Sequence, residues 1–274
     1  MFNFSQEQID MLMCFFRRVI PETKEELESI IEKELKRQGT DVDLNFIDTT
    51  KVTDMSLMFY HAEAFTSDLS EWDVSSVTDM SYMFESAYKF NSDLSQWNVS
   101  NVTNMKGMFS YAKSFNSDIS KWNVSNVTNM SSMFSGAELF NSELSMWDVS
   151  KVTDMSHMFS WAESFNSDLS SWNVSNVTNM YGMFRGAKVF NSDLSKWDVS
   201  NVTSMHCMFY DANEFNSDLS RWNVSKVEDM GFMFYCAYKF TSDLSKWNVL
   251  NVKNMHYMFH GATKFISEHT KFEF

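Results

Sequence analysis

The chain has 274 residues, 44% of them hydrophobic, and a formal net charge of −14. Length and apolar content supply a sizeable core. The diffuse acidity repels phosphate backbones and argues against nucleic acid, and no apolar run approaches the roughly 18 residues of a membrane span, so no membrane insertion is expected.

In chain order, two helices are expected first, one from Ser5 to about Arg18 and one from Pro21 to Gln38. Pro21 suits a first helical position and Gly39 a C-terminal stop. Their apolar residues Ile9, Leu12, Phe15, Phe16, Val19, Ile30 and Ile31 would form a lid on whatever follows. Acidic Glu7 and Asp10 precede the apolar stretch and Arg17 and Arg18 follow it. That is the reverse of a signal peptide, so the sequence predicts a cytoplasmic protein. Cys14, Cys207 and Cys236 lack CxxC spacing and leave an odd count, which fits neither a disulfide framework nor a zinc site.

From Val52 onward the sequence repeats every 25 residues without a gap. Met55 to Met255, Met58 to Met258, Phe59 to Phe259, Ala62 to Ala262 and Phe65 to Phe265 form unbroken columns. Further columns hold Leu69, Trp72, Val74 and Val77 with their equivalents. Met55, Met58, Phe59 and Ala62 stand at i, i+3, i+4 and i+7, which predicts a short helix. Asp54, Asp79, Asn104 and their equivalents are suitable N-caps for it. Ser67 to Ser70 reads as a turn, and Trp72 and Val74 as a short half-buried strand. Upstream, Asp43 to Asp48 aligns with Asp68 to Asp73 as a degenerate first half-unit. Downstream, Phe272 and Phe274 continue the Trp and Val columns.

One unit cannot fold alone, because ordering costs about 1–2 kcal/mol per residue and its apolar side chains repay that only when covered on both sides. Copies must therefore stack, like on like. The expected organisation is an N-terminal helical cap over 1–40 and one solenoid over 41–274. Its C-terminal end is uncapped and open to homodimer formation.

The spacing Leu69-x-x-Trp72-x-Val74-x-x-Val77 matches that of leucine-rich repeats. The unit from Trp97 through Met105, Met108, Phe109, Ala112 and Phe115 resembles the BspA-like bacterial surface-protein repeat. That resemblance covers about residue 21 to the end. It implies an α/β, leucine-rich-repeat-like, right-handed solenoid of about nine units, and a role in adhesion or protein binding at the cell surface. It carries over no catalytic residues.

Three sets of side chains are candidates for chemistry. The acidic column from Asp68 to Glu268 could line up calcium, but the turns lack the glycines of such sites, which favours carboxylates that accept their own turn's N–H groups. No metal or cofactor is therefore expected. The second set is a strand face taken as concave, carrying Lys121, Lys196, Arg221 and Lys246 beside Asp148, Asp198, Asn223 and Asn248. There the Asn/Asp column reads as a hydrogen-bonded ladder and the variable basic column as a partner contact or a solvated face. The third set is aromatic residues outside the Met/Phe/Ala face, among them Tyr111, Trp161, Tyr210 and Tyr235, which either anchor a partner or fill gaps between helices. Nine similar units do not build a unique asymmetric pocket, so the reading is a non-catalytic scaffold for a protein partner. A surface adhesin or glycan-binding rod and a structural spacer are the alternatives.

Overall fold

The computed structural model describes residues 18–268. The first expected helix, and with it the first half of the lid, lies outside the described residues. The second is α1, Lys24–Gln38. It begins three residues after Pro21, because Thr23 caps it by accepting the Glu26 N–H on its hydroxyl at 3.3 Å. It ends at Gly39, whose φ of 96° turns the chain away while its N–H bonds back to Leu35. Leu27 and Ile31 are buried against the first coils, so α1 covers the core as a lid should.

Beyond it the chain winds in coils. Eight parallel bridges link Asp54 to Asp79, Asp79 to Asn104, and so on to Asn254. The apolar columns point inward and stack: Met80, Met83, Phe84, Ala87, Phe90 and Leu94 are wholly buried, as are their equivalents in the coils that follow up to Phe240. Successive phenylalanine rings lie parallel, Phe109 to Phe134 at 5.8 Å for example, and each also stacks on the second phenylalanine of its own coil, Phe109 on Phe115 at 3.8 Å. The half-unit at Asp43 to Asp48 opens the array, since Leu44 accepts the Trp72 indole N–H just as Leu69 accepts that of Trp97.

The secondary structure within each coil departs from expectation. Residues 55–62 and their equivalents form a run of tight turns, not a helix. Leu57 and His61, and the matching residues of later coils, have φ between 53° and 76°. A helix cannot continue through such left-handed residues. Instead the N–H groups of Met80, Tyr82, Phe84 and Ser86 donate to the carbonyls of Asn104, Lys106, Met108 and Ser110 in the next coil, while Met83, Glu85 and Ala87 close local i to i+3 turns. Every second peptide unit thus lies along the rod axis, carbonyl toward the preceding coil and N–H toward the following one. The residues proposed as N-caps therefore have no helix to cap and close short turns instead: the Asp79 carboxylate accepts the Ser81 N–H at 2.7 Å.

The expected strand at Trp72 to Val74 is also replaced by turns, closed by Trp72 N–H to Leu69 and Val77 N–H to Val74. Among the described residues, no backbone N–H from Leu69 to Val77, or in the equivalents of later coils, reaches the neighbouring coil, and side chains bridge instead. The Trp97 indole donates to Leu69 of the preceding coil at 3.0 Å, and the Leu69 N–H is received by the Ser92 hydroxyl of the following one at 2.9 Å. Among the described residues, α1, the six-residue α2 (Thr263–Glu268) and isolated bridges are the only regular structure, so the α/β division does not describe the unit.

Coil spacing follows from this difference. Where backbone bonds link the coils, the Tyr210 and Tyr235 rings stack at 4.8 Å, the spacing of paired strands. The inner phenylalanines repeat at 5.7 Å (Phe159 to Phe184), and the tryptophans at 6.5 Å (Trp172 to Trp197). Coils held apart by side-chain bridges splay, so the turn run is the short, inner side of the rod and the tryptophan side the long, outer one.

Candidate interaction surface

The columns expected on a concave strand face therefore lie on the outer side. Lys121, Lys196, Arg221 and Lys246 are exposed there, as are Asp148, Asp198, Asn223 and Asn248. The expected ladder through the Asn/Asp column does not form. Asp148 accepts the N–H of Ser150 and Asp198 that of Ser200, both at 3.0 Å within their own turns. Asn223 does the same for Ser225 and Asn248 for Leu250. These side chains are committed to shaping turns, and the neighbouring Lys121 and Lys196 are exposed and act on Asp118 and Asp193 only through their charge.

Two asparagine ladders do exist, at columns that sequence reasoning passed over. The Asn116 side chain accepts the Asn141 N–H, Asn141 that of Asn166, and Asn166 that of Asn191, at 2.8 to 2.9 Å. Asn126 and Asn176 donate their amides to the carbonyls of Ser100 and Ser150 in the preceding coil. Both ladders replace missing backbone links on the outer side. Their signal in the sequence is the repetition of Asn at fixed columns, which marks a structural bridge as readily as a recognition code.

The acidic column behaves as turn chemistry predicts. Asp168, Asp193 and Asp218 accept the N–H groups of Ser170, Ser195 and Ser220 at 2.9 Å. These backbone N–H groups, and then the hydroxyls of the same serines, hold all three carboxyls below their ordinary value of 3.8.

The remaining aromatic candidates sit on the inner turn run, at the outward-pointing left-handed positions and their neighbours. Tyr111 lies over Gly136 of the next coil, where a methyl group would stand 2.6 Å from the ring, and Trp161 covers Gly186 in the same way. Tyr82 over Gly107 and His157 over Gly182 repeat the arrangement. These rings fill space between coils, yet Tyr111 remains 46% exposed.

Along the inner side the outward positions change character. Coils at Asn104 and Asn129 present Lys106, Gly107, Ser110, Ser131, Ser132 and Ser135. From Asn179 onward the same positions hold Tyr181, Arg185, His206, Tyr210, Phe232 and Tyr235, then His256, Tyr257 and His260. Tyr181 stacks on His206 at 5.0 Å, Tyr210 on Tyr235, and Tyr235 on His260 at 5.0 Å. Burial, together with the Tyr235 hydroxyl beside it, pushes the Tyr210 phenol up, and burial raises the Cys207 thiol. Burial followed by the Arg185 charge lowers His157. The result is one half-buried aromatic strip along the inner side; the exposed outer column Glu71, Gln96, Lys121, Met146, Ser171, Lys196, Arg221 and Lys246 also varies from coil to coil, but without aromatic residues.

Among the described residues no helix is long and apolar enough to cross a membrane. The family described as "Mycoplasma protein of unknown function, DUF285" matches residues 27–145, 116–212 and 172–272, three overlapping spans along the tandem array. No curated protein matches. Among solved structures, the chain is similar to one in the crystal structure of a TLR13–ssRNA13 complex, at 10% identity and a TM-score of 0.30. That similarity covers 88% of this chain but 40% of the other, so the chain spans less than half its length.

Proposed function

This chain belongs to the Mycoplasma protein family of unknown function, DUF285, and from that premise we propose that it is a non-catalytic scaffold that binds a protein partner along the inner turn face of its C-terminal coils. One observation carries the reading. The outward positions of the turn run diverge between coils, and from Asn179 onward they diverge toward Tyr, His, Phe and Arg. Residues that shape the coil have no such freedom, whereas a surface that recognises one partner needs it. Tyr and Arg are also the side chains that dominate binding energy at protein interfaces. The adhesion implied by the BspA-like resemblance would draw on the same face.

Affinity capture with matched variants tests this. The double substitution Tyr210→Ser and Tyr235→Ser restores the serine found at the equivalent Ser110 and Ser135. A second variant replaces Lys121, Lys196, Arg221 and Lys246 by Ser on the outer side. Partners retained by the wild type and the outer-side variant, but lost from the inner-side variant at equal melting temperature, support the reading. Partners lost only from the outer-side variant overturn it.

A further inference from the structure

Arg185 is the one described residue with a buried side-chain nitrogen or oxygen, its Nε, that has no hydrogen-bond partner. Its guanidinium lies 5.7 Å from the Trp161 ring of the preceding coil and 4.9 Å from the Tyr210 ring of the following one. It takes part in none of the ion pairs among the described residues, although Lys188, three residues on, finds Glu163 at 2.7 Å. Other cations without an ion pair, such as Lys121 and Lys196, stand in open solvent; Lys106 is half-buried over one ring, that of Tyr82, whereas Arg185 is half-buried between two.

The rings of the preceding and following coils attract the guanidinium's charge and leave its Nε edge without an acceptor. That edge matches a planar acceptor that can take two parallel hydrogen bonds, which a carboxylate provides. The chain's charge of −14 favours a singly charged group over a doubly charged phosphate. Resting on the inner-face reading above, we propose that Arg185, between Trp161 and Tyr210, receives one carboxylate from an acidic peptide segment of the bound partner.

The probe is the peptide N-acetyl-Leu-Glu-Leu-amide, titrated into the full chain while the Arg185 Nε–H signal is followed by NMR. Its isostere N-acetyl-Leu-Gln-Leu-amide, N-acetyl-Leu-Leu with a free C-terminus, and inorganic phosphate are run alongside. A saturable Nε–H shift with the Glu peptide but not the Gln peptide is expected, with affinity falling at least about tenfold in Arg185→Gln. Arg185→Lys, which keeps the charge but not the fork, should still bind several-fold more weakly. A response only to the free C-terminus supports the proposal and identifies a chain end as the source. Equal shifts with the Glu and Gln peptides, a phosphate response as strong as that to the Glu peptide, or affinity unchanged in both variants overturns it. Peptide-induced shifts at Tyr210 and Tyr235 that ignore the Arg185 variants would sink the carboxylate site while leaving the inner-face reading intact.

Discussion

A left-handed backbone position, repeated twice in every coil, fixes the residue-scale chemistry. Glycine occupies it without cost, whereas Ser132, His157, Trp161 and Phe232 occupy it against their intrinsic preference. At Gly107, Gly136, Gly182 and Gly186 the ring of the preceding coil fills the space that a side chain would take, and at Gly261 the Cys236 sulfur does. Gly136→Ala should therefore destabilise by about 1–3 kcal/mol, from the φ of 69° and the collision with Tyr111 together. Ser132→Gly should stabilise by up to about 1 kcal/mol, because it relieves the same strain with no ring to lose. Denaturant midpoints of the two variants check both signs, and equal effects would mean that backbone strain is not what sets them. The pairing was legible in the sequence as bulky residues followed 25 positions later by glycine, at Tyr82 and Gly107, Tyr111 and Gly136, His157 and Gly182, and Trp161 and Gly186.

Within one coil, the inward apolar pattern was read correctly and its backbone was not. A helix and a run of i to i+3 turns both bring residues three and four apart onto one face, so Met55, Met58, Phe59 and Ala62 satisfy either. What separates them is the set of residues between, where Gly107, Gly136, Gly182, Gly186 and Gly261 at the second and sixth positions mark left-handed backbone. The strand around Trp72 failed for a related reason. Alternation places Trp and Val inside, but an indole that donates to the preceding coil, beside a serine that accepts from it, does the work of a strand ladder without extended backbone. The turn carboxylates of this outer arc give the coil its response to acid. Asp168, Asp193 and Asp218 have folded values below the 3.8 of the unfolded chain. The unfolded state therefore binds protons first as pH falls. Their contribution is present in full above about 3.8 and is lost as pH drops through the lowered folded values. Thermal melts across pH 2 to 6 should fall in that low window, and replacing the three by Asn, which keeps an acceptor but cannot titrate, should flatten the fall. An unchanged profile would assign acid sensitivity to other groups.

At the scale of the whole rod, stability is a sum of coils and the contacts between them. Removing residues 130–154 deletes one unit in phase and should leave a cooperatively folded protein with a lower denaturant midpoint. Removing 130–153 shifts every later column by one residue relative to the columns before the cut and should abolish cooperative unfolding by circular dichroism. The stacking itself, the column identities and the half-unit at Asp43 were all legible from the 25-residue period. Curvature was not, because it depends on whether coils are joined by backbone or by side chain, and the repeat alone does not say which. The candidate residues accordingly divide between two sides: Tyr111, Trp161, Tyr210 and Tyr235 lie on the inner side, while Lys121, Lys196, Arg221 and Lys246 lie on the outer one.

The axial peptide units of the turn run have a consequence for assembly. From Met55 to Met230 they all point their N–H groups toward the C-terminal end and their carbonyls toward the N-terminal end. The turn run itself is thus electrically one-way, N–H groups facing one end and carbonyls the other, although the flanking Thr78 and Lys89 N–H groups donate back to Thr53 and Glu63 of the preceding coil. Two rods meeting through identical ends by a two-fold axis would set donor against donor there. Only a tail-to-head contact would match donor to acceptor, and α1, seated over the first coil with Lys24 donating to Ser56, stands in the way of it.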